Sequence, residues 1–252
     1  MSRIGLVTCL LAGCGGGGST DVDGTLRFSD RSDLEISRLV NAASGSEGFQ
    51  AQSTAESYAD PFEPGDPCPA RSFSGDTGTI TGGCTTMDGI ALEGSMQIKN
   101  PLSWCLVFNT ANSFCDMEYE GNFNADTNYT FTGFSITQSG FARSFDGRVT
   151  IGSLYDHVDM DLVSVQLDVA VRSDIYIEYS GGRNASFDGS GVELVGVGGA
   201  RVSGDVSVST STNQTSGSFT LDGADTVKVT LVNNCVTWRI EGTQRMYSTC
   251  PQ

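Results

Sequence analysis

The chain of 252 residues predicts a mainly β protein: an antiparallel, strongly twisted sheet, folded as a sandwich or a partly open barrel, with one short N-terminal helix. Three observations carry this. From Arg71 onward apolar residues alternate with polar ones, the period of strands that have one buried and one wet face. Two- and three-residue turn signals recur between those runs. Glycine, at 32 of 252 residues, is abundant and falls inside several of the runs, where it marks bulges, bends or close backbone approach.

Taken in order, the first regular element is the helix. Ser32-Asp33-Leu34-Glu35 has the spacing of a capping box, and Leu34, Leu39, Val40 and Ala43 follow at helical intervals, with Asn41 and Gly45 as stop signals. This predicts one helix near residues 31–43. Residues 44–70, rich in Ser, Ala, Gly and Glu and ending in Pro61, Pro64, Pro67 and Pro69, read as an irregular arm or linker. The chain thus divides into an arm over 25–70 and a β domain over 71–252. The strands are announced by Ile90, Leu92, Met96 and Ile98, by Val163 to Val171 at alternate positions, and by Val202, Val206 and Val208. They continue with Val227, Val229 and Leu231, then Val236, Trp238 and Ile240. Asp88-Gly89, Asp146-Gly147, Asp188-Gly189, Ser180-Gly181-Gly182, Asp222-Gly223 and Asn233-Asn234 read as the turns. No second capped helical stretch separates the strands, which excludes a parallel βαβ sheet.

A short pattern of an acid or serine, then glycine, recurs at Glu93-Gly94, Glu120-Gly121, Asp146-Gly147, Ser203-Gly204 and Ser216-Gly217. Repeated in successive strands, it suits either a strongly coiled sheet or hairpin turns that share glycine.

The N-terminus has a different character. Residues 1–13 carry one cation, Arg3, then an apolar stretch from Ile4 to Ala12, the order of a secretory signal. Leu11-Ala12-Gly13-Cys14 resembles the lipobox of bacterial lipoproteins. The resemblance implies cleavage before Cys14, diacylation of that cysteine, and residence in the cell envelope; glycine after Cys14 favours the outer membrane. Gly15 to Gly18 and the polar residues after them read as a flexible tether over 14–24. Export leaves six further cysteines in an oxidising compartment: Cys68, Cys84, Cys105, Cys115, Cys235 and Cys250. Fifteen pairings are open; nearest neighbours, Cys68–Cys84, Cys105–Cys115 and Cys235–Cys250, are the expected ones. Zinc is disfavoured, because there is no C-x-x-C and His157 is the only histidine.

A formal charge of −16, from 14 Lys+Arg against 30 Asp+Glu, repels phosphate backbones and argues against nucleic acid as a partner. No nucleotide loop, G-x-S-x-G elbow or cofactor signature is present, and no cofactor is expected. The densest polar cluster is Asp156 to Asp161, in which His157, Asp159 and Asp161 project from one strand face as candidate metal ligands. The run Val163, Val165, Leu167 shifts the apolar register and implies a bulge or turn after Leu162. Aromatic residues between 119 and 145 serve either the core or an exposed binding surface. The expected function is that of a lipid-anchored envelope protein with a non-catalytic binding or scaffolding role, its partners the membrane through the lipid and an envelope protein or polysaccharide. The alternatives are a carboxylate-dependent hydrolase of polysaccharide or peptide, or a metal-dependent adhesin.

Overall fold

A computed structural model describes residues 22–59, 67–74, 76–100, 126–152, 156–180, 184–187, 191–209, 214–233 and 235–249. The leader, Cys14, the Cys105–Cys115 pair, Phe123 and Cys250 lie outside these residues.

Two helices come first, α1 (Asp33–Ala43) and α2 (Ser46–Ala59), after a 3-10 turn at Phe28–Asp30. The strands follow: β1 (Ala70–Ser74), β2 (Thr77–Thr81), β3 (Cys84–Thr85), β4 (Ala91–Lys99), β5 (Thr127–Gln138), β6 (Phe141–Ile151), β7 (His157–Gln166) and β8 (Val169–Ser180). The rest are β9 (Asn184–Phe187), β10 (Gly191–Leu194), β11 (Gly198–Ser209), β12 (Gln214–Asp222), β13 (Thr226–Val232), β14 (Cys235–Ile240) and β15 (Met246–Ser248). All belong to one antiparallel sheet in near-sequential order, β1-β2-β4-β5-β6-β7-β8-β10-β11-β12-β13-β14-β15, with β3 beside β4 and β9 between β8 and β11.

The capping box at the start of α1 forms as expected. The Ser32 hydroxyl accepts from the Glu35 N–H, and the Ser32 N–H donates to Glu35 at 2.7 Å. Helix α2 corrects the reading of residues 44–70 as irregular. Beside the buried polar Glu47 and Gln52, its buried positions Gly48, Ala51, Ala55 and Ala59 recur at helical spacing but are small, so the stripe carries little hydrophobic signal. Small residues let the helix lie close to the sheet. A Cβ added at Gly48 would stand 2.8 Å from Met160 Cε.

The sheet curls around both helices. Ser37 of α1 accepts a hydrogen bond from Trp238 of β14 at 3.2 Å, while α2 contacts β2, ten strand steps away. Laid flat, those steps would span about 48 Å. Two packed helices are only about 20 Å across. The sheet is therefore a trough with the helical pair inside it. Its inner face is mainly apolar: Leu92, Met96, Phe131, Phe134, Phe145, Val149, Met160, Leu162, Ile175, Val192, Phe219, Val229 and Trp238 join Ile36, Leu39, Val40 and Ala51 in one buried cluster. The arm of residues 25–70 is thus the filling of the β domain. Of the aromatic cluster, Tyr129, Phe131, Phe134 and Phe145 are core, while Phe141 is exposed.

Glycine makes the curl possible. Gly94, Gly147, Gly204 and Gly217 all have positive φ in the middle of strands. A Cβ at Gly204 would stand 2.5 Å from the Ser218 carbonyl oxygen, and one at Gly217 equally close to that of Asp205. Asp146-Gly147 is correspondingly a kink within β6, not the turn that its sequence suggested; the turn lies at Ser139-Gly140. The expected bulge after Leu162 is also absent: β7 pairs without a shift from His157 to Gln166 on β8 and from Val158 to Gln166 on β6.

Cys68 and Cys84 are disulfide-bonded, with Cα atoms 5.9 Å apart and a sequence separation of 16. The bond closes the stretch that carries the chain from α2 into the sheet. Replacing both cysteines by serine is expected to cost about 3 kcal/mol in the chain-entropy picture, read as a lower urea midpoint with an unchanged spectrum.

Candidate functional site

Within the trough a charged network joins the apolar packing. Glu47 of α2 and Arg38 of α1, 1% and 4% exposed, form an ion pair at the helix–sheet interface. Ser164 of β7 donates to Glu47 at 2.8 Å and accepts from Arg38 at 2.9 Å. Gln166 accepts from Arg38 at 3.0 Å and from Arg143 of β6 at 3.2 Å, and Arg143 also reaches Glu47 and Gln50. Burial pulls the Arg143 pKa down, against the opposing pull of Glu47. Ser164 explains the apparent register shift in β7: the inward position after Leu162 receives the network instead of another apolar side chain.

A second polar system ties the N-terminal segment to one end of the sheet. Leu26 N–H donates to Gly199 O at 2.9 Å, and Ala224 N–H to Leu26 O at 2.8 Å. The Asp225 carboxylate accepts from Phe28 N–H at 2.5 Å and Ser29 N–H at 3.0 Å. Arg245 donates to Asp33 and to the Arg31 carbonyl and lies over the Trp238 ring, 5.9 Å from its centroid. Partial burial works to raise the Asp225 pKa, but the N–H groups of Ser29 and Phe28 outweigh it and hold the carboxyl below the usual aspartate range. A folded-state pKa below the unfolded one means that the folded protein binds fewer protons. This contribution is present in full above about pH 4 and is lost as pH falls through the depressed folded value. Asp225→Asn is accordingly expected to lower the urea midpoint at neutral pH, and the gap from the parent protein to narrow progressively as pH falls below about 4. A gap independent of pH would contradict the assignment.

The outer face of the sheet carries the residues picked out as metal ligands. His157, Asp159 and Asp161 stand in one row on β7, as alternation requires, but each is engaged elsewhere. Asp159 pairs with Arg148 at 3.4 Å and Asp161 with Arg172 at 2.9 Å. His157 lies 2.9 Å from Asp156 through Nδ1 and 3.7 Å from Asp126 through Nε2, with its ring stacked on Tyr176 at 5.7 Å. Gly152 fits here because a side chain would collide with Asp156 and His157. His157 and Asp161, four residues apart on the strand, are separated by about 13.6 Å, too far for the whole row to converge on one ion. Among the described residues, no group of three or more His, Cys, Asp or Glu is placed to hold a metal. The Tyr176 pKa is raised, by loss of water and then by Glu178, Asp156, Asp159 and Asp126, which reports the negative field of this face.

Farther along the outer face, where β9 meets β11 and β12, lies a groove of about 390 Å³. Asn184, Ser186, Asp205, Ser207 and Ser216 line it, over Ala185, Val206 and Gly217. The kinks at Gly204 and Gly217 shape its floor. Its walls offer hydroxyls, an amide and one carboxylate, groups that suit a hydroxyl-rich ligand and provide no nucleophile–base pair. Sequence reading met Ser216-Gly217 only as part of the glycine pattern and missed the groove, because its residues come from three strands.

No protein-family model, curated protein or solved structure gives a significant match to this chain. Among the described residues no helix is long and apolar enough to cross a membrane.

Proposed function

We propose that this is a lipid-anchored protein of the bacterial cell envelope, held by acylated Cys14, with a non-catalytic binding or scaffolding role performed on the outer face of its sheet. The observation that carries the binding role is the filled trough. A curled sheet offers its concave side as the natural ligand cavity, and here α1, α2 and the Arg38–Glu47 network occupy it. Among the described residues, what is left for recognition is the acidic outer face around β7 and β8 and the hydroxyl-lined groove at β9, β11 and β12. The anchor rests on Leu11-Ala12-Gly13-Cys14 and on the Cys68–Cys84 disulfide, which suits an oxidising compartment.

Palmitate labelling of the full chain in a bacterial host, with Cys14→Ser beside it, tests the anchor: label on the parent and none on the variant is expected. Cross-linking from the membrane-bound form, followed by mass spectrometry, tests the role. Reproducible recovery of an envelope protein or glycan, lost when Asp205 and Ser207 are replaced by bulky residues, supports it. Turnover of a polysaccharide or peptide by the purified protein would replace it with the hydrolase reading.

A further inference from the structure

The connections of an antiparallel meander alternate between the two ends of the sheet. The β5–β6, β7–β8, β10–β11, β12–β13 and β14–β15 turns share one end. Three neighbouring turns there present large apolar side chains to solvent: Phe141 at 46% exposure, Leu167 at 56%, and Val195 and Val197 at 41% and 50%. The β7–β8 and β10–β11 turns are in contact, Val195 N–H donating to Ala170 O at 3.1 Å. The residues form a row along the rim.

Leu167 and Asp168 make a two-residue turn with φ of 52° and 61°. That turn needs positive φ at both central positions and favours Asn-Gly. Leucine is costly there and leaves more than half of its surface in water, so the fold alone does not account for it.

The chain's path fixes what this end faces. Val22 packs over Gly191 and Gly199, where a side chain on either glycine would collide with it. Gly199 stands two residues beyond the Val195–Val197 turn, and ten residues, about 33 Å, before Ser209 at the opposite end of β11. From Cys14 to Val22 the chain can reach at most about 29 Å. Val22 lies equally against Gly191, which pairs with Arg201, eight residues or about 26 Å before Ser209. An anchor at Cys14 therefore lies just beyond the apolar turns on a slack tether and meets the opposite end only on an almost fully stretched one.

We infer that, given the acylation proposed above, this end of the sheet rests on the bilayer and that Phe141, Leu167, Val195 and Val197 enter its interfacial zone. Apolar side chains gain by leaving water there. The tether keeps them at high local concentration, so weak insertion suffices. Asp168 in the same row and the net charge of −16 disfavour anionic headgroups, so the surface is zwitterionic phospholipid.

The test uses the acylated full-length product recovered from membranes, checked by mass for the lipid on Cys14, and reconstituted into phosphatidylcholine vesicles containing brominated acyl chains. Phe141→Trp and Val197→Trp report the apolar turns; Val232→Trp, on the exposed end of β13 at the opposite side, is the control. Each is read against the unsubstituted protein, which carries Trp104 and Trp238. Bromine is expected to quench the added emission at positions 141 and 197 by about twofold and to leave position 232 unchanged. Equal quenching at all three, none at any, or the reverse order overturns the orientation while leaving the anchor intact. A product without lipid on Cys14 fails earlier, and both readings fall with it.

Discussion

Glu47→Leu is expected to destabilise the protein by about 3–5 kcal/mol, the cost of leaving a buried charge without its partner. The carboxylate is 1% exposed and answers two guanidinium groups, Arg38 at 4% exposure and the half-buried Arg143. Removing it strands both positive charges between the helices and the sheet, and deprives the Ser164 hydroxyl of an acceptor. Arg38→Met alone leaves Glu47 only its longer ion pair with Arg143, at 3.4 Å, and should cost somewhat less. The pair Glu47→Leu, Arg38→Met should cost clearly less than the sum, because it removes charge of both signs and returns apolar volume. Urea unfolding of the two singles and the double supplies the whole cycle. Simple additivity would mean that the network is not the unit described here.

The other large effect belongs to the kinks. Gly147→Ala forces a Cβ onto the carbonyl oxygen of Asp161 at a backbone φ of 120°. The neighbour is a ladder atom of β7 and cannot turn aside. A loss of about 2–4 kcal/mol is expected, seen as a fall in Tm of about 5–10 °C for a domain of this size. Gly140→Ala is the comparison, since it too has positive φ but nothing within 4 Å of the added atom. It should cost only about 1 kcal/mol. Similar losses at the two positions would show that backbone conformation alone, not close strand approach, explains the glycines.

These two sites mark where the fold could be read in advance and where it could not. Alternation in β4, β7, β11, β13 and β14 follows from one wet face, so the sheet was legible residue by residue, and so was the capped start of α1. The glycine pattern was legible as curvature, although Asp146-Gly147 imitates a turn. Helix α2 was not, because Gly48, Ala51, Ala55 and Ala59 give close packing without hydrophobic bulk. Nor was the network: Arg38 and Ser164 are 126 positions apart, and their meeting depends on the trough. Its one local trace, serine where β7 should place an apolar residue, resembles a change of register. The His157, Asp159 and Asp161 row is a different case. The face was legible, but Arg148 and Arg172, which occupy the carboxylates, come from the adjacent strands.

The two helices are the permanent filling of the trough, not a lid over a cavity. Backbone hydrogen exchange of the native protein measures this directly. Amides of α1 and α2 should be protected to the same degree as those of β7 and β8, opening only with global unfolding. Helical amides exchanging orders of magnitude faster than the strands around them would mean that the pair swings out, and would move the binding site to the inside of the sheet.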